Sequence, residues 1–239
     1  AVAHHLAGAG ELRRASTLWL RLAERAAASL AFDLAAGLLA DALAKGELEP
    51  AQQLRAARSR AELLECAHRS VDAAEQWLEL ARRLPERERS ALEARASGLL
   101  LAAGDLPRGK ALLAKLLEAL GTPLPRSPAR TLAALVAARA SLRRRGLELA
   151  APPAEPSRHA MLSERETLLR GAAIGLGMSD NLRAALYHAK ALRAALDLGD
   201  PAKASIALSI EAIFRGSTSS RARARSAPLL ELAAEHASR

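Results

Sequence analysis

Four times in this chain a tight turn is followed five residues later by a small residue and about four further on by a bulky one. Gly10 leads to Ala15 and Trp19. Arg69 leads to Ala74, Leu78 and Ala81, with Pro85 closing the unit. Gly104 leads to Gly109 and Leu113, and Gly199 leads to Ala204 and Leu208. A turn with this sequel fits a helical hairpin: the small residue lets the second helix lie close to the first, and the bulky one fills the gap to the next hairpin. One hairpin cannot bury its own apolar face, so such units are stable only when stacked.

The intervening sequence agrees. Phe32, Ala35, Leu39 and Leu43 recur at three and four residues, as do Leu182, Ala185, Leu186, Ala189, Leu192 and Leu196, which is the period of one helix face. Breakers fall at Gly8 to Gly10, Lys45 to Pro50, His68 to Ser70, Leu84 to Pro85, Gly104 to Pro107, Gly121 to Pro128, Ser179 to Asn181 and Gly199 to Pro201. At the last of these, glycine can end one helix, Asp200 can cap the next and Pro201 can take its first turn. Half of the residues are apolar but only 2% are aromatic, so the core must be built of Leu and Ala, which suits closely approaching helices and not sheets. The expected fold is all-α, a TPR-like α-solenoid of stacked antiparallel helical hairpins. The pattern is the tetratricopeptide one in degenerate form.

Residues Gly146 to Ser157 (GLELAAPPAEPS) carry three prolines and little helical pattern. The expected organisation is therefore TPR-like repeats over 1–145, a Pro-rich linker or long loop over 146–158, and further hairpins over 159–239 that stop inside a helix reading from Pro228 to Ala237. Gly171, Gly175 and Gly177, in a helix expected from about His159, suggest either a closely packed neighbouring backbone or a soft segment.

The chain opens on Ala1 and reads as a piece of a longer protein. It contains no run near the roughly 18 apolar residues that a membrane span needs and no charged-then-apolar leader, so insertion and secretion are not expected and a cytoplasmic home is. The single cysteine, Cys66, lies beside Leu63, Leu64 and Ala67 and is expected to be a small buried hydrophobe. A net charge of +9 could serve a nucleic-acid partner through counterion release. However, lysines number only five (Lys45, Lys110, Lys115, Lys190 and Lys203), and the Arg and Ala richness is what GC-rich coding produces whatever the function. The reading favours a protein partner over nucleic acid.

Catalytic motifs fail when examined. Gly104-Asp-Leu-Pro-Arg-Gly109-Lys110 has the spacing of a phosphate-binding loop up to its lysine. Ala111 replaces the hydroxyl that magnesium needs, Pro107 removes a backbone donor, and Ser97 to Ala103 continues a helix where a strand should be. A hairpin turn explains the same glycines. His4 and His5 are adjacent, while His68, His159, His188 and His236 are scattered away from metal-ligand spacing. No nucleophile, base, metal or cofactor is nominated. Two basic clusters remain, Arg143-Arg144-Arg145 and Arg221-Arg223-Arg225. The first is the candidate partner-binding site, although cations just before Gly146 are also what a helix C-terminus favours.

Leu30 to Leu43 (LAFDLAAGLLADAL), Leu120 to Gly146 (LGTPLPRSPARTLAALVAARASLRRRG) and the opening His4-His5 with Gly8-Ala-Gly-Glu11 together resemble a known arrangement. It is the C-terminal helical-repeat region of large bacterial serine/threonine protein kinases, in which a kinase domain and an AAA-type (STAND-like) ATPase module precede TPR-like repeats. The resemblance implies a non-catalytic sensor or docking arm that binds other domains of its parent or a signalling partner, with the phosphotransfer and nucleotide sites upstream of Ala1. The alternative is the repeat domain of a STAND-type transcriptional activator. A third reading, a free-standing enzyme using the Gly104 to Lys110 turn for nucleotide, is the least favoured.

Overall fold

The computed structural model describes residues 2–177, 179–216 and 220–238, with the side chains of 87, 220–223 and 225 outside the description. The fold is all-α, and the described residues form twelve helices and no strand: α1 (Val2–Gly8), α2 (Leu12–Ala28), α3 (Phe32–Lys45), α4 (Pro50–Cys66), α5 (Ser70–Arg82), α6 (Glu86–Ala102), α7 (Leu106–Ala119), α8 (Pro128–Arg145), α9 (Pro156–Leu176), α10 (Asn181–Leu198), α11 (Pro201–Gly216) and α12 (Ser220–Ala237). Most helices adjacent in sequence pack on one another, as in a helical-repeat solenoid. The chain forms two compact units, Ala1–Gly109 and Lys110–Arg239. No helix among the described residues is long and apolar enough to cross a membrane.

In the first unit one turn geometry recurs. Gly10, Leu30, His68 and Gly104 have φ of 81°, 59°, 59° and 84°. In each case the next residue's N–H donates to the carbonyl five residues back: Glu11 to Leu6, Ala31 to Ala26, Arg69 to Leu64 and Asp105 to Leu100, all at 2.9 Å. That is the Schellman closure, which satisfies carbonyls the helix end would leave bare. Counted from the positive-φ residue, position +5 is Ala15, Ala35, Ala73 or Gly109 and position +9 is Trp19, Leu39, Trp77 or Leu113; all of these are buried. Gly199 (φ 75°) sets Ala204 and Leu208 in the same phase in the second unit.

This phase corrects the sequence reading at two places. The turn before α5 is set by His68 and not Arg69, so Trp77 fills the bulky position and Leu78 is only half-buried. Leu30 also opens a unit, at a turn (Ser29-Leu30-Ala31) that carries no glycine or proline. Position +5 must be small because the helices cross there: a Cβ on Gly109 would lie 2.7 Å from Leu101 Cγ. Ser97 Oγ donates to Gly109 O at the same crossing, at 2.9 Å.

The second unit is centred on α10, which is buried around most of its circumference and packs against α8, α9 and α11. Helix α10 ends as expected, with Gly199 left-handed, and the Asp200 carboxylate accepts the Lys203 N–H at the start of α11. Tyr187 on α10 donates its hydroxyl to the carbonyls of Thr122 (3.1 Å) and Pro123 (3.0 Å), fixing the segment before α8. Burial pushes the Tyr187 phenol up to about 12.

The Pro-rich segment belongs to this unit. The compact units divide between Gly109 and Lys110, whereas in the loop 146–155 Leu147 and Leu149 pack on the α8/α10/α11/α12 core and Ala150 N–H donates to Leu196 O at 3.0 Å. A Cβ on Gly199 would meet Ala150 O at 2.5 Å. The loop therefore runs directly over the end of α10. By contrast, a Cβ on Gly171 would meet nothing within 4 Å and one on Gly177 only carbonyls of its own helix, so neither marks a close neighbouring backbone.

Candidate functional site

In the first unit, α2 and α4 present facing walls of an open groove of about 670 Å³, with Leu39 of α3 at its floor. Helix α2 contributes Leu20, Ala23, Glu24 and Ala27, spaced so that all four share one face. Helix α4 contributes Gln52, Arg55, Ala56, Ser59, Glu62, Leu63 and Cys66, again on one face. Both walls carry small residues, Ala23 and Ala27 on α2 and Ala56 and Ser59 on α4, which leave the space between them unfilled. Its apolar lining is edged by the exposed side chains of Glu24, Arg55 and Glu62.

Cys66 lines this groove and is exposed, which corrects the expectation that it is buried. Ala61 and Leu64 take the inward positions at the end of α4, and Cys66 falls on the opposite side of the turn from Leu64. Behind the groove wall, Glu65 accepts from Trp77 Nε1 on α5, and Arg95 of α6 lies 4.5 Å over the same indole while its Nε meets Glu65 at 2.6 Å. This strap ties α4, α5 and α6 together and fixes the orientation of the α4 wall.

The candidate Arg143-Arg144-Arg145 ends α8, and Gly146 follows with φ 77°. Its members differ. Arg143 and Arg144 are exposed. Arg145 is only 17% exposed: its Nε meets Asp197 Oδ1 of α10 at 2.6 Å, and its Nη1 donates to the carbonyls of Gly146 (3.2 Å) and Glu148 (2.6 Å). Arg145 is thus committed to fastening the loop onto α10, leaving Arg143 and Arg144 as the part open to a partner. The side chains of Arg221, Arg223 and Arg225 lie outside the described residues.

The second unit also buries charge that the sequence did not single out. Glu211 of α11 is fully buried and accepts from Arg139 of α8 and Arg215 of its own helix. His188 Nε2 lies 3.1 Å from Glu211 Oε2, and the imidazole stacks on Phe214 at 5.1 Å. Burial alone would push the Glu211 carboxyl up, but His188, Arg139 and Arg215 hold it down to about 2. Glu166 of α9, also fully buried, meets Arg170 at 2.8 Å and Lys203 of α11 at 3.2 Å. Both carboxylates are closed in by their partners, which makes them fasteners between helices. The Gly104 to Lys110 stretch is the turn between α6 and the start of α7 and is preceded by a helix, so its backbone is spent on the helix closure described above.

Comparison with models of known families, with curated proteins and with solved structures gives no match for the chain.

Proposed function

We propose that this chain is a TPR-like protein-interaction module that takes an amphipathic helical segment of another protein, or of another domain of its own parent, into the α2/α4 groove. It carries no catalytic step of its own. It serves as the docking or sensor arm of a bacterial signalling serine/threonine kinase with an ATPase module, working in the cytoplasm. The observation that supports this reading is the groove: two helix walls whose lining is largely apolar and small, with exposed Glu24, Arg55 and Glu62 beside it, which complement a helix with an apolar stripe. The parent's identity rests on the resemblance of Leu30 to Leu43 and Leu120 to Gly146.

The exposed Cys66, the sole cysteine, allows a direct test. A thiol-linked photocrosslinker placed there is expected to capture one partner from bacterial lysate, carrying a kinase or ATPase module, and Leu63→Glu in the groove is expected to abolish capture. Capture unaffected by Leu63→Glu, or salt-sensitive recovery of nucleic acid in place of protein, would overturn the proposal.

A further inference from the structure

Helix α8 packs into its unit on one side. Thr131 and Leu142 are buried there, and Arg139 and Arg145 pair with Glu211 and Asp197. The opposite side is exposed and apolar: Ala129, Leu132, Ala133, Val136, Ala137 and Ala140 recur at three and four residues and form one stripe. Leu132 is 53% and Val136 60% exposed. Single exposed apolar residues need no account, but an aligned row over three turns marks a contact surface. Three and four residues beyond Ala140 the stripe runs into Arg143 and Arg144, both exposed and neither in an ion pair among the described residues. Helix α8 carries no Asp or Glu of its own.

From this face we infer a docking surface for an amphipathic helix that carries Asp or Glu in its first turn and lies antiparallel on α8. Alanine fills four of the six stripe positions. It adds little against lipid but lets a second helix approach closely, while Leu132 and Val136 supply the bulk that such a crossing packs around. Charge fixes the direction. An antiparallel partner brings its N-terminus to Arg143 and Arg144, where its acidic residues are favoured by two cations and by its own macrodipole. A second copy of the same face is disfavoured, because the antiparallel arrangement sets Arg143 and Arg144 of each copy towards the exposed Arg130 of the other. Nucleic acid is disfavoured because the stripe between those ends carries no cation. This surface does not depend on the α2/α4 groove.

The test titrates the full chain into three fluorescein-labelled synthetic helices that share one Leu/Ala stripe. One has two Glu in its first turn, one has them in its last turn, and one has Gln in their place. By fluorescence anisotropy the first is expected to bind about fivefold tighter than either of the others, the effect of two solvent-screened charge pairs. The double variant Arg143→Glu, Arg144→Glu, changed at exposed side chains only, is expected to remove that advantage, and Val136→Asp to abolish saturable binding. The inference is overturned if no helix binds saturably, if the position of the Glu pair makes no difference, or if Val136→Asp leaves binding intact. It also fails if the chain sediments with phosphatidylserine vesicles, or dimerises, in a way that Val136→Asp abolishes, since lipid or a second copy would then be the occupant.

Discussion

The two units handle buried polarity in opposite ways. In the first, the buried polar side chains among the described residues are Ser16 and Ser97, and each serves the backbone. Ser16 Oγ donates to Leu12 O and accepts the Glu47 N–H, and Ser97 Oγ donates to Gly109 O. The rest of that core is alanine, leucine and two tryptophans. The second unit fully buries Glu166 and Glu211, with His188, His236, Thr122 and Thr131 also buried. Regular turns that repeat let small neutral residues close each crossing, so the first unit needs no buried charge. Where α10 is gripped by three neighbours, longer side chains span the gaps, and their charges must be neutralised in place.

This contrast predicts where each unit breaks. The largest effect is expected from Glu211→Gln, which leaves Arg139 and Arg215 without their carboxylate and should cost about 3–5 kcal/mol. Segment-resolved hydrogen exchange should show the loss in α8, α10 and α11 while protection in α2 to α5 is kept; equal loss in both units would end the contrast. Acid tests the same group. Because the Glu211 carboxyl is held down to about 2 in the folded state, against about 4.3 unfolded, its contribution is complete above the unfolded value and is lost as pH falls from there through about 2. That loss amounts to at most roughly 3 kcal/mol. Selectively excited tryptophan fluorescence reports only on the first unit, since Trp19 and Trp77 both lie there, and should stay native through the pH range in which α10 and α11 lose protection.

A smaller effect separates two glycines with the same backbone conformation. Gly104→Ala meets only the strain of positive φ, about 1 kcal/mol, because a Cβ there touches nothing. Gly199→Ala adds a collision with the Ala150 carbonyl and should cost about 2–3 kcal/mol. Comparable urea midpoints for the two variants would show that the loop does not bear on Gly199. The smallest change is a gain. Leu30 is 72% exposed and holds φ 59°, so Leu30→Gly should stabilise the first unit by about 0.5–1 kcal/mol, read as a raised urea midpoint in tryptophan fluorescence.

The helices are legible because glycine, proline and apolar spacing mark them: each of the eight breakers named from the sequence spans or abuts a junction between consecutive helices. Ser29-Leu30-Ala31 was missed because nothing in it signals a left-handed residue, and the same silence at His68 displaced the phase by one. The turn rule became regular only when counted from the backbone conformation. For the site, Arg143 to Arg145 were visible as a run, but not that Arg145 is already engaged with residue 197. The carboxylate of Glu211 meets a guanidinium 72 positions away, a pairing that no local spacing encodes. The groove was equally silent, since Ala23, Ala27, Ala56 and Ser59 form it by leaving space.

The contact order of the helices has a mechanical consequence. In α1 to α6 each helix touches chiefly those before and after it in the chain, so force applied to the ends would load these interfaces in series and peel hairpins away one after another. Around α10, which α8, α9 and α11 hold together, the same force would be shared in parallel and released in a single larger step. The chain thus joins a stretch that yields gradually to one that yields all at once.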